Sequence, residues 1–126
     1  MAEFDGIYKC EICGNVVAVI EAHDGELVCC GKPMIFQKEK TSEQEGKEKH
    51  ISVLEVIGNK IIVKVGSIEH PMEENHFIEL IELLRNGKVI VSKRLTFNDK
   101  PEATFCLENT ENVTARTYCN VHGLWA

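Results

Sequence analysis

Four cysteines near the start of the 126-residue chain constrain its fold more than any other feature of the sequence. Cys10 and Cys13 form a Cys-x-x-Cys pair, and after residues 14–28 the chain places Cys29 and Cys30 side by side. A Cys-x-x-Cys turn brings two thiolates to one side of a knuckle, as in tetrahedral zinc and iron–sulfur sites. Neighbouring cysteines cannot form an ordinary second knuckle. The spacing therefore predicts a four-sulfur metal site distorted from a tetrahedron, without choosing between zinc and iron.

The segment that carries these cysteines has little aliphatic mass and cannot bury enough apolar surface to fold unaided. We therefore predict a small metal-stapled domain over residues 1–37. Disulfides are the alternative explanation, which removal of an export leader would permit. The first residues, Met-Ala-Glu-Phe-Asp, show neither a basic nor an apolar leader region. A cytoplasmic protein with reduced thiols is expected.

Charge and hydrophobicity narrow the class of partner. The chain has 14 Lys and Arg against 20 Asp and Glu, a formal net charge of −6, which would repel the phosphates of a nucleic acid. The longest apolar run near the start covers residues 16–20, far short of the roughly 18 residues that a membrane-spanning helix needs. We expect neither nucleic acid nor membrane as a partner.

The sequence becomes typical of β-strands after a charged run over residues 38–49, which is interpreted as an exposed linker or loop. Gly58-Asn59 and Asn86-Gly87 are two-residue hairpin signals. Residues 74–86 alone would also fit an amphipathic helix, but the Asn-Gly turn favours a strand. Regularly spaced strands predict a mainly β fold with a β-sandwich over residues 38–126. The strands after His76 are expected over residues 77–85, 88–95, 103–107 and 113–118.

A second set of metal-binding residues is spread over this β region. His50 follows the charged run, His70 and His76 flank a short loop, and Cys119 and His122 form a Cys-x-x-His at a strand end. Each signal alone is weak, but together the residues lie at loop and strand-end positions, where sandwiches carry their sites. Four imidazoles and one thiolate are one ligand more than structural zinc takes. On a metal that prefers six ligands they would leave one position for a small molecule.

The ordered motifs resemble the desulfoferrodoxins, the two-iron superoxide reductases, over both halves of the chain. The matching segments are Cys10-x-x-Cys13, Cys29-Cys30, Glu48-Lys49-His50, His70-Pro71-Met72-Glu73-Glu74-x-His76 and Cys119-Asn120-x-His122-Gly123-x-Trp125. The resemblance implies a desulforedoxin-like N-terminal domain followed by an immunoglobulin-like β-sandwich. It also implies two irons per chain. One is an Fe(Cys)4 centre held by Cys10, Cys13, Cys29 and Cys30.

The second iron implied by the resemblance is the catalytic one, with His50, His70, His76 and His122 as equatorial ligands and Cys119 as the axial ligand. Glu48 would be a mobile carboxylate that takes the sixth position in the ferric state, and Lys49 the cation beside the open ferrous site. The family further implies superoxide as substrate, rubredoxin or a similar protein as electron donor, a homodimer and a cytoplasmic location.

Three other functions fit parts of the pattern. A zinc-ribbon interaction module joined to a metal-binding sandwich would be colourless and inert. A pure electron-transfer protein would use the Fe(Cys)4 centre alone, and a dismutase would evolve oxygen from superoxide. Two remaining residues are given structural roles: Cys106 is expected to be a small buried hydrophobe, and His23 a solvated turn residue.

Overall fold

The computed structural model describes residues 2–41 and 46–126, and these residues form twelve β-strands and one short helix. The mainly β fold is therefore confirmed. The chain divides into two compact units, Met1–Lys38 and Glu39–Ala126. Within the described residues, no helix is long and apolar enough to cross a membrane.

The first unit is built from five short strands. A three-stranded antiparallel sheet has the order β2-β1-β5, and β3 and β4 form a separate hairpin. The bounds are β1 Ile7–Lys9, β2 Val16–Ala18, β3 Val28–Cys29, β4 Lys32–Pro33 and β5 Ile35–Phe36. Its buried apolar side chains are those of Ile7, Tyr8, Cys10 and Val19. So small a core agrees with the expectation that this segment needs a metal to fold.

The second unit is a β-sandwich preceded by a single helical turn. One sheet has the order β10-β7-β6 and the other the order β12-β11-β8-β9, with every pairing antiparallel. In chain order the elements are α1 Lys47–His50, β6 Ser52–Ile57, β7 Lys60–Val65, β8 Ile78–Arg85, β9 Lys88–Arg94, β10 Glu102–Cys106, β11 Val113–Cys119 and β12 Gly123–Trp125.

The core lies between these two sheets. Every second residue of β7 is buried, as the period of a strand requires, and these side chains pack with those of β8 and β10. The cluster contains Ile61, Val63, Val65, Ile78, Ile81, Leu83, Leu95, Ala103, Phe105 and Cys119. Because Cys119 belongs to this cluster, the candidate site is attached directly to the packed interior.

Both predicted hairpins are present. Asn86 and Gly87 connect β8 to β9 with φ values of 53° and 77°, the left-handed conformations of a type I′ turn. Gly58 has a φ of 59° at the turn between β6 and β7. β8 covers residues 78–85 and pairs with β9 and β11, which excludes the helical interpretation of residues 74–86.

One expectation needs correction. Cys106 is exposed, because the inward positions of β10 are taken by Ala103 and Phe105, and the next residue must face outward. The described part of the charged run over residues 38–49 is mostly exposed, as expected, but Lys40 forms a bridge to Trp125 and residues 47–49 belong to α1. Residues 42–45 of that run lie outside the described residues.

The core assignment is testable with two isoleucines that differ in burial. Ile81 in β8 is 0% exposed and Ile57 in β6 is 54% exposed. We expect Ile81→Ala to lower the free energy of unfolding by about 2–5 kcal/mol, because it leaves a cavity. Ile57→Ala should cost less than about 1 kcal/mol. Urea denaturation followed by circular dichroism measures both, and equal losses would contradict the assignment.

Candidate metal centres

The Cys-x-x-Cys turn of the first unit forms a knuckle held by backbone hydrogen bonds. The N–H of Cys10 donates to the carbonyl of Asn15 at 2.8 Å, and the N–H of Gly14 donates to the carbonyl of Cys10 at 2.9 Å. Gly14 has a φ of 83°, a left-handed conformation that glycine adopts without strain. The N–H of Cys13 points at the sulfur of Cys10, 3.5 Å away. The knuckle thus presents both sulfurs on one side.

The adjacent cysteines are explained by a second, different turn. Cys29 ends β3 and pairs with Lys32 of β4, so Cys30 and Gly31 are the two central residues of the hairpin. Their φ values are 53° and 76°, again the left-handed region of a type I′ turn. This turn allows neighbouring cysteines to face the same point, which a second knuckle would not.

The four thiols meet in one cluster. The sulfurs of Cys10, Cys13, Cys29 and Cys30 all lie within 4.8 Å of one another, and those of Cys13 and Cys29 are 3.6 Å apart. All four are free thiols, so the disulfide alternative is not supported. Four soft sulfur donors in such a cluster suit iron or zinc, and they fit the iron that the resemblance implies.

Hydrogen bonding within the cluster separates the acidities of its thiols. The backbone N–H of Cys13 stabilises the thiolate of Cys10 and lowers the pKa of that thiol to about 6. Hydrogen bonds first with Cys13, and then with Cys10 and Cys29, raise the pKa of Cys30 to about 12. One thiolate therefore opposes the formation of the next, and a bound cation would remove that opposition.

The second cluster lies in the sandwich and takes its members from four places in the chain. His50 ends α1, His70 and His76 lie in the connection between β7 and β8, Cys119 ends β11, and His122 lies in the turn before β12. One donor atom from each of these five residues lies within 4.8 Å of all the others. The structure thus brings together all five residues that the sequence singled out.

Contacts between ring nitrogens show how the imidazoles are aimed. The Nε2 atoms of His50 and His70 are 3.1 Å apart, and Nε2 of His76 is 3.2 Å from Nδ1 of His122. The sulfur of Cys119 lies 3.8 Å from the same Nδ1 atom. Donor atoms that close together around one point can share a single metal ion.

In two of the rings, a hydrogen bond made by Nδ1 fixes which nitrogen is free to bind a metal. Nδ1 of His50 donates to the carbonyl of Gly46 at 2.8 Å, and Nδ1 of His70 donates to the carbonyl of Pro71 at 2.7 Å. A carbonyl can only accept, so the proton belongs on Nδ1 and the lone pair on Nε2. Such outer hydrogen bonds are how proteins orient histidine ligands.

Burial keeps these imidazoles neutral. It lowers the pKa of His50 and of His122, and it lowers the pKa of His70 to about 4. Burial also raises the pKa of the Cys119 thiol, although the backbone N–H of His122 partly opposes the effect. A cation held by neutral nitrogens would stabilise the Cys119 thiolate, so the donor set fits a metal.

Packing around the cluster adds residues that the sequence analysis did not place. Trp125 stacks on His50 with ring centroids 4.5 Å apart and an interplanar angle of 9°. Its indole N–H donates to the carbonyl of His122 at 3.1 Å. The hydroxyl of Thr117 donates to the carbonyl of His50 at 3.3 Å. Thr117 belongs to no metal-ligand motif. Its position on β11, two residues before Cys119, is the one sequence feature that relates it to the cluster.

Glu48 and Lys49 lie next to the cluster without belonging to it. Both are exposed on α1, immediately before His50, and the described donor group does not include the carboxylate of Glu48. Burial, and then the charges of His76, Lys40 and Lys49 in that order, lower the pKa of His122. As expected, His23 is an exposed residue, with its ring 3.1 Å from the carboxylate of Glu21.

The fold and the two clusters define a class of protein: a non-haem metalloprotein with a four-sulfur centre and, on a β-sandwich, a centre of four imidazoles and one thiolate. Comparison with known families agrees with this class. The desulfoferrodoxin model matches residues 41–126, and the model of the desulfoferrodoxin N-terminal domain matches residues 2–36. The chain belongs to the desulfoferrodoxin family, and the resemblance seen in the sequence is confirmed.

Individual relatives are similar along the whole chain. A desulfoferrodoxin from Syntrophotalea carbinolica is 54% identical over 126 residues, which is 100% of this chain and 98% of the relative. A desulfoferrodoxin homolog from Archaeoglobus fulgidus is 51% identical over 99% of this chain and 98% of its own. The superoxide reductase of Treponema pallidum has a similar structure, with a TM-score of 0.72 and 29% identity over 95% of this chain and 94% of that one.

Substitutions at two cysteines test whether Cys119 is a metal ligand. Cys119→Ser is expected to remove the sulfur-to-iron charge-transfer band of the oxidised sandwich centre, because serine oxygen does not replace thiolate as the electron donor of that band. Cys106→Ser is the matched control, since Cys106 is exposed on β10 outside both clusters. Visible spectra of the iron-loaded variants measure this. A band that survives in Cys119→Ser would show that another group is the sulfur donor.

Proposed function

We propose that this chain is a superoxide reductase, which uses one electron and two protons to convert superoxide to hydrogen peroxide. The observation that carries the proposal is the convergence of four imidazoles and one thiolate within 4.8 Å. Membership of the desulfoferrodoxin family supports this activity and two iron centres per chain. We assign the Fe(Cys)4 centre to a domain over residues 1–37 and the catalytic centre to residues 38–126.

The number and type of donors explain why redox chemistry fits this site better than structural zinc. Structural zinc is saturated by four ligands, whereas the sandwich cluster supplies five. A six-coordinate iron would keep one position for a small ligand and would supply the electron for its reduction. We assign His50, His70, His76 and His122 as nitrogen ligands and Cys119 as the sulfur ligand, whose burial and N–H contact hold the thiolate in place.

Lys49 is proposed to attract the substrate. Superoxide is an anion and the chain carries a formal charge of −6, so the bulk field opposes its approach. Lys49 is exposed and lies one residue before the ligand His50, where a cation can focus the local field on the site. Encounter rates that depend on such a charge fall with ionic strength.

Glu48 is proposed to be a mobile carboxylate that covers the sixth position of the oxidised centre. Its backbone is fixed, since its carbonyl accepts hydrogen bonds from the N–H of Ile68 at 2.9 Å and from the hydroxyl of Ser67 at 3.3 Å. A Cβ atom on Gly66 would lie only 2.8 Å from that carbonyl, so glycine permits the close approach. An exposed side chain on a fixed backbone can swing without disturbing His50.

Electrons are proposed to come from rubredoxin or a similar small redox protein, with both partners in the cytoplasm. The cysteine cluster supports this, because Cys13 and Cys30 are exposed and the centre they form can approach a donor's surface. A homodimer is proposed as well. It is supported by large exposed apolar side chains on the first unit, among them Phe4, Ile12, Ile20, Val28 and Phe36.

The reaction itself distinguishes the proposal from its alternatives. We expect the iron-loaded, reduced chain to consume one superoxide per oxidised sandwich centre and to yield one hydrogen peroxide without oxygen. Pulse radiolysis with assays for peroxide and oxygen measures these yields. Oxygen evolution would indicate dismutation, failure to react with superoxide would indicate electron transfer alone, and a colourless zinc protein would indicate a structural module.

Removing the charge of Lys49 tests the attraction of substrate. Lys49→Ile is expected to slow superoxide capture several-fold and to flatten its dependence on ionic strength. Lys60→Ile is the control, because Lys60 begins β7 at the hairpin end of β6, away from His50. Pulse radiolysis at several salt concentrations measures both variants. An unchanged rate and salt slope in Lys49→Ile would contradict the role.

The oligomeric state can be measured without any variant. Sedimentation equilibrium of the iron-loaded chain is expected to give twice the 14.2 kDa of one chain, because exposed apolar surface of this extent favours association. A mass of 14.2 kDa at micromolar concentration would contradict the proposed homodimer.

A further inference from the structure

A second lysine, Lys40, is attached to the sandwich beside the His/Cys cluster. Its backbone joins β12 as a parallel bridge to Trp125. The N–H of Lys40 donates to the carbonyl of Leu124, and the N–H of Ala126 donates to the carbonyl of Lys40, both at 2.8 Å. These two bonds fix the point from which the side chain of Lys40 extends.

The ammonium group of Lys40 is fixed as well. Its Nζ donates to the carbonyl of His122 at 2.8 Å and lies 5.5 Å from the ring centroid of Trp125. The same carbonyl accepts the indole N–H of Trp125, whose ring stacks on His50. The charge therefore touches the backbone of one ligand residue and the aromatic ring that packs on another.

Lys40 differs from Lys49 in how firmly its charge is held in place. An exposed lysine samples many rotamers in solvent, where its charge is screened. Lys40 is half-buried, with a hydrogen bond and a cation–π contact that hold its charge in one place. A charge that is held at one place beside the cluster acts on its neighbours more strongly than one that moves through solvent.

The effect of Lys40 on oxidation of the metal centre follows from charge alone. Oxidation adds one positive charge to a metal centre, and a nearby fixed cation opposes that addition. The centre is then held more firmly in its reduced form, the form that can donate an electron to superoxide. Lys40 can exert this effect without touching the substrate, so it is a positioning residue rather than a catalytic one.

We propose that Lys40 is a second functional cation of the His/Cys centre, held by the carbonyl of His122 and the ring of Trp125, and that its charge raises the reduction potential of that centre. This inference rests on the proposed function only in requiring iron at the cluster. It concerns the potential of the centre and not the capture of superoxide.

The test is a redox titration of the iron-loaded chain, followed through the sulfur-to-iron charge-transfer band of the sandwich centre. Lys40→Met removes the charge at similar length, and Lys40→Gln removes the charge but keeps a donor for the carbonyl of His122. Both are expected to lower the midpoint potential. Lys40→Arg should restore it, and Lys88→Met should leave it unchanged, because Lys88 is exposed at the β8–β9 hairpin.

Each contrary result has one meaning. A wild-type potential in Lys40→Gln would overturn the proposal, and it would do so even if Lys40→Met failed to fold. An equal decrease in Lys88→Met would also overturn it, since net charge would then suffice. The titration contains no superoxide. A chain that shows the Lys40 shift but leaves superoxide unreacted would therefore contradict the proposed function and not this inference.

Discussion

The second unit depends on one constraint: donor atoms of four imidazoles and a thiol face one another at a single point, where His50, His70 and Cys119 are buried. The Nε2 atoms of His50 and His70, 3.1 Å apart, would repel one another if nothing positive lay between them, because both rings carry their proton on Nδ1. A proton is poorly suited to relieve this repulsion at neutral pH, because burial lowers the pKa of His50 and of His70 and so disfavours a protonated imidazole. The remaining remedy is a metal cation, and the fold keeps the donors in place by attaching them to the sandwich core through Cys119.

The surroundings of the cluster divide the work between fixed and mobile groups. The carbonyls of Gly46 and Pro71 set the proton positions of His50 and His70. The ring of Trp125 stacks on His50 and limits its movement. Glu48 and Lys49 remain exposed on a helical turn of fixed backbone. This arrangement suits a centre whose ligands must not move while a small anion and a carboxylate exchange at one position. The two proposed cation roles differ in the same way: Lys49, which is exposed, would attract substrate, and Lys40, which is held in place, would adjust the potential.

Much of this was predictable from the sequence because local chemistry and long-range packing agree. Asn86-Gly87 specifies a type I′ turn, and the alternation in β7 specifies a half-buried strand, so the sandwich follows from short-range rules. The candidate ligand residues were found because several histidine and cysteine signals, each weak alone, occur together in an order that matches a family pattern. The adjacent pair Cys29-Cys30 was predicted to bind metal, but its hairpin turn was not. It needs a positive φ at Cys30, which a cysteine rarely adopts and a sequence does not announce. Cys106 was misplaced because register decides which face of β10 it occupies, and Lys40 because its partners are 82 residues or more away in the chain.

The central claim, that five side chains bind one iron in the sandwich, is tested most directly by anomalous diffraction at the iron absorption edge. Crystals of the iron-loaded chain should show one anomalous peak within bonding distance of His50, His70, His76, His122 and Cys119. A second peak should lie among Cys10, Cys13, Cys29 and Cys30. A sandwich peak bonded to four or fewer of its five proposed ligands, or a zinc signal in its place, would contradict the account.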